Sequence, residues 1–149
     1  MRAVVQRVRS ASVEVDETTV SAIEHGLLVY LGAEKDDADT DLDYVCGKIA
    51  GLRIFTGDDG KMTLAVGDVG GAILVVSQFT LFGDVRRGRR PSFDDAAAPD
   101  VAEQLYERAC HRLRALGPSV ETGRFRAHMR VRSDGDGPVT ILLDSRKRF

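Results

Sequence analysis

Apolar and polar positions alternate through the first quarter of the chain in a way that predicts strands. Residues 2–8 are rich in valine, and Ala11 to Asp16 alternate small or apolar with polar residues, the period-two mark of a half-buried strand. Asp16-Glu17-Thr18 reads as a turn. Val20 and Ala22 continue the alternation in a third short strand, and His25-Gly26 is another turn. Leu27 to Leu31 is apolar throughout, as expected of a strand covered on both faces.

The period then changes. Asp36-Asp37 supplies an N-terminal cap with further acids behind it. Leu42, Val45, Cys46 and Ile49 follow at i, i+3, i+4 and i+7, which predicts one buried helical stripe. Leu52 to Phe55 leaves the helix as a strand, and residues 58–61 form a turn. Ala72 to Val76 is the most hydrophobic strand and delivers Ser77-Gln78-Phe79-Thr80 at its end. A polar loop, Gly83 to Asp95, leads to a second helix opened by Pro99. Its stripe is Val101, Leu105, Ala109 and Leu113, flanked by Ala102, Tyr106 and Cys110, and Gly117-Pro118 stops it. The remainder predicts strands near 120–125, 129–132 and 139–143, with a turn at Ser133 to Gly137 between the last two. This order predicts a mixed α/β domain, sheet-dominated, with two main helices covering one face of a mixed sheet or of two stacked sheets.

Composition narrows the picture. A chain of 149 residues is the usual size of one domain and buries enough surface to need no metal or disulfide. Residues 1–149 are therefore expected to form a single domain. Tryptophan is absent and aromatics are 6% of the chain, so the core must rest on aliphatic side chains. Cys46 and Cys110 lie in helical apolar positions and read as small buried hydrophobes. No signal peptide or membrane-length apolar run is visible, so the expected location is cytosolic, with no membrane partner. A net charge of −2 argues against a protein that coats nucleic acid non-specifically, and no DNA partner is expected.

Local chemistry is concentrated in a few segments. A buried strand that ends in Ser77-Gln78-Phe79-Thr80 either solvates those groups or presents backbone N–H donors to a pocket, where they can stabilise the oxyanion of acyl transfer. Thr80 can be a nucleophile only with a base in reach, and no histidine or lysine is tied to it by spacing. Asp136-Gly137-Pro138 reads as a turn with glycine freedom and a proline-fixed φ. Arg86, Arg87, Arg89 and Arg90 are either a solvated surface or a phosphate-binding loop. Arg124, Arg126, Arg130 and Arg132 share one parity. His128 reads as structural, and the three histidines are not spaced as ligands, so neither a metal nor a cofactor is expected.

Six segments in order resemble the bacterial-type D-aminoacyl-tRNA deacylase family. They are Met1 to Val8, Gly26 to Val29, Gly51 to Phe55, Ser77 to Leu81, Arg89 to Phe93, and Gly137 to Thr140. Each is weak alone; their order and spacing make the match specific. The resemblance implies a three-layer β/β/α domain and a homodimer with active sites at its interface. The implied reaction is hydrolysis of the ester between a D-amino acid, or glycine, and the terminal adenosine of tRNA, with L-aminoacyl-tRNA rejected. Within that resemblance Phe79 and Thr80 are catalytic through their backbone, and Ser77 and Gln78 line the pocket. Gly137-Pro138, with a cis peptide, reaches in from the partner subunit and occupies the space an L side chain needs. The RNA's own 2′-hydroxyl helps activate water or the ester, so Thr80 is not required as a nucleophile. Two positions depart from the family pattern. Gly135 stands where asparagine is usual, which predicts a looser turn before Gly137. Arg126 stands where glycine is frequent, which puts a charge near the pocket or interface. The basic tail, Ser145 to Phe149, runs past the usual end and carries no implied role. The alternative functions are a non-catalytic RNA-binding module using the arginine loop and a hydrolase of small D-amino-acid esters.

Overall fold

The structure, a computed structural model, describes residues 1–149. Its elements are β1 (Arg2–Val15), β2 (Thr18–Ile23), β3 (Gly26–Gly32), α1 (Asp39–Gly51), β4 (Phe55–Thr56), β5 (Met62–Leu64) and β6 (Ala72–Ser77). A short 3₁₀ turn (Phe79–Phe82), α2 (Pro99–Ala115), β7 (Ser119–Thr122) and β8 (Arg130–Asp144) complete it. Residues 2–15 form one long strand rather than two. β3 pairs with residues 2–8 of β1 and β2 with residues 11–15, while β8 runs antiparallel along β1 from Arg2 to Glu14. β8 therefore holds one edge of β1, and β2 and β3 share the other.

β3, β6 and β7 are mutually parallel, and parallel neighbours require crossovers. α1 lies in the connection between β3 and β6, and α2 in that between β6 and β7. Leu27, Val29, Leu31, Ile73 and Val75 join Leu42, Val45, Cys46, Ile49, Leu105, Ala109 and Leu113 in the larger core beneath the helices. Leu28, Leu74 and Val76 face the other way, into a second core with Val8, Val13, Val15 and Ile23. The uninterrupted apolar runs of β3 and β6 thus serve two cores, and the far half of β1 with β2 makes the second β layer. The three-layer arrangement matches the expected fold class.

Local details differ from the sequence reading. The 13-residue α1 begins at Asp39, not at Asp36-Asp37. Asp41 accepts from the Ala38 N–H at 2.9 Å, while Asp37 accepts instead from the Met1 amino group at 2.6 Å. The strand expected at 52–55 survives only as Phe55–Thr56. Val101 is exposed, so the α2 stripe begins at Leu105. The turn expected at Ser133 to Gly137 lies inside β8, where register shifts against β1 absorb the extra residues between Gly135 and Thr140.

The tail is a clasp rather than a free basic end. Arg148 donates to both Glu34 oxygens and to Asp144, and Arg2 donates to Asp144 at 3.0 Å. Burial alone would raise the Glu34 and Asp144 carboxyls, but hydrogen bonds from Arg148, and from Arg2 at Asp144, outweigh it and hold both below their ordinary values. Arg2 also donates to the Leu81 carbonyl at 3.0 Å and lies over the Phe82 ring. The clasp therefore reaches the 3₁₀ turn that follows β6.

Candidate functional site

Parallel β3 and β6 end side by side, and the Gln78 N–H donates to the Leu31 carbonyl at 2.8 Å. A crevice opens beyond these strand ends, the usual place for a ligand in a parallel arrangement. It is a cavity of about 530 Å³, mostly apolar, between the strand ends, the start of α2 and the segment 125–131. Close approach is needed at its floor: a Cβ on Gly32 would lie 2.8 Å from the Gln78 carbonyl oxygen and 3.0 Å from the Phe82 ring. Only glycine lets the two strand ends meet this way.

Ser77, Gln78 and Phe79 line the cavity; Thr80 does not. Phe79 is 56% exposed and packs edge-on against Phe93, with ring centroids 5.0 Å apart. The Thr80 hydroxyl is hydrogen-bonded to the Gln78 side-chain amide. That amide is no base, and no histidine, lysine or carboxylate bonds to Thr80. The N–H groups of Phe79 and Thr80 open the 3₁₀ turn and have no acceptor within the chain. They are the orphan donors of a helical first turn, placed beside the cavity.

Several lining groups were not singled out for this role from sequence. Tyr106 braces the wall through a hydrogen bond to the Val75 carbonyl at 2.8 Å, and its ring lies 6.0 Å from that of Phe125. Burial pushes its phenol well up. His128, which reads as structural in the sequence, lines the cavity and is exposed, and the same holds for Arg126, whose charge was expected near the pocket or interface. Their signal was the parity of 124–132, which the sequence carried without indicating what it faced. Burial pushes the Cys46 thiol up to about 12 and the Cys110 thiol up to about 11. Both are core groups, as expected, and supply no thiolate nucleophile.

Gly137-Pro138 is cis, and it is not at its own chain's cavity. Arg7, beside it, pairs with Leu27, which pairs with Ile73; Ser77 lies four residues further along β6. Three strand spacings across and four residues along amount to roughly 20 Å of sheet. The two segments expected to share a site do not meet within one chain. Gly137 is instead set on an open edge. Arg7, 12% exposed, pairs with Asp136 at 2.9 Å and donates to the Ile54 carbonyl. Gly135 is exposed and lies on β8, opposite Val8 of β1. Pairing to β1 and the Arg7–Asp136 contact thus position the segment without the amide that Gly135 lacks.

The arginine loop is closed by paired backbone hydrogen bonds between Asp84 and Ser92, at 2.8 and 2.9 Å. Its four arginines are not equivalent. Asp84 grips Arg86 at 2.7 and 2.9 Å, and hydrogen bonds from Arg86 hold that carboxyl well below the usual range. Arg87, Arg89 and Arg90 have no carboxylate partner and are exposed. If the loop reads phosphates, replacing those three by alanine flattens the salt dependence of tRNA binding by roughly 2 in log–log slope. Replacing Arg86 alone leaves it nearly as it was. A slope unchanged in the triple variant would return the loop to plain surface.

A profile of the D-Tyr-tRNA(Tyr) deacylase family matches residues 4–144. A D-aminoacyl-tRNA deacylase of Thermotoga petrophila is 60% identical over 149 residues, covering all of both chains. One of Sorangium cellulosum is 61% identical over 150 residues, again covering both. Both relatives extend as far as Phe149, so the tail is not an addition to the family's length. Among solved structures, the c-Myc DNA Unwinding Element Binding Protein superposes with a TM-score of 0.92 at 41% identity, covering 97% of this chain and 98% of that one. A probable eukaryotic D-amino acid tRNA deacylase gives 0.79 at 23% identity, over 95% and 97% of the two chains, a likeness of fold.

Proposed function

The chain belongs to the D-Tyr-tRNA(Tyr) deacylase family, and from that premise we propose how its residues hydrolyse the ester bond of D-aminoacyl-tRNA. The strand-end cavity takes the terminal adenosine with its ester. Water attacks the ester carbonyl carbon, the bond to the ribose oxygen breaks, and that oxygen takes up a proton. The unpaired N–H groups of Phe79 and Thr80 receive the developing oxyanion, and the neighbouring 2′-hydroxyl of the RNA helps activate the water. Ser77 and Gln78 bind the substrate beside them. The observation that carries this reading is the pair of unclaimed amides beside a cavity in which no hydroxyl is hydrogen-bonded to a histidine, lysine or carboxylate.

Stereoselectivity comes from a second copy of the chain. Gly137-Pro138 sits roughly 20 Å along the sheet from its own cavity, on the exposed strand β8, so a homodimer is the arrangement that brings it to a cavity. Its carbonyls then fill the space an L side chain needs, D side chains point outward, and glycine, with no side chain, is accepted. Residues 1–149 work as one deacylase domain, in the cytosol, on the 3′ end of tRNA; no helix is long and apolar enough to cross a membrane.

Incubation with D-Tyr-tRNA, L-Tyr-tRNA and Gly-tRNA(Ala) tests this. Hydrolysis of the first and third that spares the second supports it. Binding without turnover would make the chain an RNA-binding module, and equal turnover of a free D-tyrosine ester would make it a small-ester hydrolase. Thr80→Ala should lose less than about tenfold in rate, because it removes only one exposed side-chain hydrogen bond, worth about 1 kcal/mol. A fall to the uncatalysed rate in a folded variant would show instead that the hydroxyl reacts.

A further inference from the structure

Resting on that reading, we propose that Arg126 determines substrate specificity by binding the phosphate that joins the last two nucleotides of the tRNA. Arg126 has φ +60, in the left-handed region where glycine is at ease and an arginine is strained. The Ala127 N–H closes this turn onto the Arg124 carbonyl at 3.2 Å. Nothing in the turn's own hydrogen bonding requires an arginine there. A strained position held beside a functional cavity directs attention to what its side chain reaches.

Its surroundings say what that is. Arg130 and Arg132, further along the same run, are both committed to Glu14. Arg126 makes no ion pair and no side-chain hydrogen bond. Arg124 is similarly unpaired but does not line the cavity. Among the lining residues Arg126 is the sole arginine or lysine; Phe79 and Phe125 stand with it in a mostly apolar wall whose other polar side chains are Ser77, Gln78, Tyr106 and His128. An apolar hollow with aromatic faces and one uncommitted guanidinium at its mouth suits a ligand that carries a flat ring and an anion. The reacting end of an aminoacyl-tRNA has that form. The adenine is the ring, the amino acid contributes a cation, and the nearest negative charge to the ester is the 5′-phosphate of the same nucleotide. Guanidinium binds phosphate through paired, charge-assisted hydrogen bonds.

The test compares two small substrates, 3′-O-D-tyrosyl adenosine and the same ester carrying a 5′-methylphosphate. The wild-type protein is expected to favour the phosphorylated form by about tenfold in kcat/KM, the size of one charge-assisted hydrogen bond, and mainly through KM. Arg126→Gly and Arg126→Ala bring the ratio close to one, and Arg126→Lys keeps part of it. Arg126→Gly should also melt no lower than wild type, since it relieves the backbone, which separates lost binding from lost folding. Arg124→Ala, two residues away, keeps the tenfold ratio. A ratio that is the same in wild type and Arg126→Gly overturns the assignment, including the case in which Arg126 merely stacks on the adenine and ignores the phosphate. Failure of the wild type to hydrolyse D-Tyr-tRNA at all overturns the underlying reading instead.

Discussion

Gly137→Ala is expected to slow single-turnover hydrolysis of D-Tyr-tRNA at least about a hundredfold while the chain remains folded. Gly137 has φ +128, a region that residues with a Cβ rarely enter, at a cost of about 1–3 kcal/mol. The added Cβ would lie 2.8 Å from both the Val139 N and its Cγ2, with Arg7 Nη2 at 3.4 Å. The first of these is backbone, so no rotamer change relieves it and the segment itself must move. A displacement of about 1 Å at a positioning element costs about two orders of magnitude in rate. The melting temperature should fall by a few degrees, about 2–4 °C per kcal/mol for a domain of this size. Gly135→Ala is the control: a Cβ there meets nothing within 4 Å and its φ is not positive, so rate and stability should hardly change. Near-wild-type turnover by Gly137→Ala would show that the segment does not shape the site.

Leu142→Asp should leave a folded, monomeric and inactive chain. On β8 the exposed Pro138, Thr140 and Leu142 alternate with half-buried Val139, Ile141 and Leu143, which pack against the main core. Leu142 is 57% exposed, so a carboxylate there costs the isolated chain little. In a dimer that carries Gly137-Pro138 into the partner's cavity, the same carboxylate is desolvated without a counter-ion, a penalty of several kcal/mol. Sedimentation should show the monomer, circular dichroism an intact fold, and D-Tyr-tRNA turnover at the uncatalysed level. A Leu142→Asp monomer with full D-specific activity would mean that each chain completes its own site.

Some of this was legible in the sequence. The apolar runs of β3 and β6 announced strands covered on both faces, and the helical stripes placed Cys46 and Cys110 in the core, because burial writes itself as periodicity. The SQFT segment was locatable because polar residues ended the most hydrophobic strand. What stayed hidden depended on distant partners. No local pattern says that Arg86 is spent on Asp84 while Arg87 is free, or that the tail's Arg148 closes on Glu34 and Asp144. The break expected at 133–137 came from glycine-rich turn composition; pairing to β1 overrode it, as tertiary context overrides local propensity. Arg126 was visible as a departure, but its positive φ and its place on the cavity wall required coordinates.

The pairing of β1 has a consequence for how the molecule is made. One edge of β1 is satisfied by neighbours in sequence, β2 and β3, but the other waits for β8, and Arg2 finds its partner only at Asp144. Loop closure over nearly the whole chain is an intrinsically late event. During synthesis the first strand emerges early and must keep a long unpaired edge until the last strand has been made. Such an edge is a template for pairing with other chains. The protein's exposure to misassembly is thus set by the interval between its first strand and its last, and a chain interrupted before Arg130 would retain that open edge permanently.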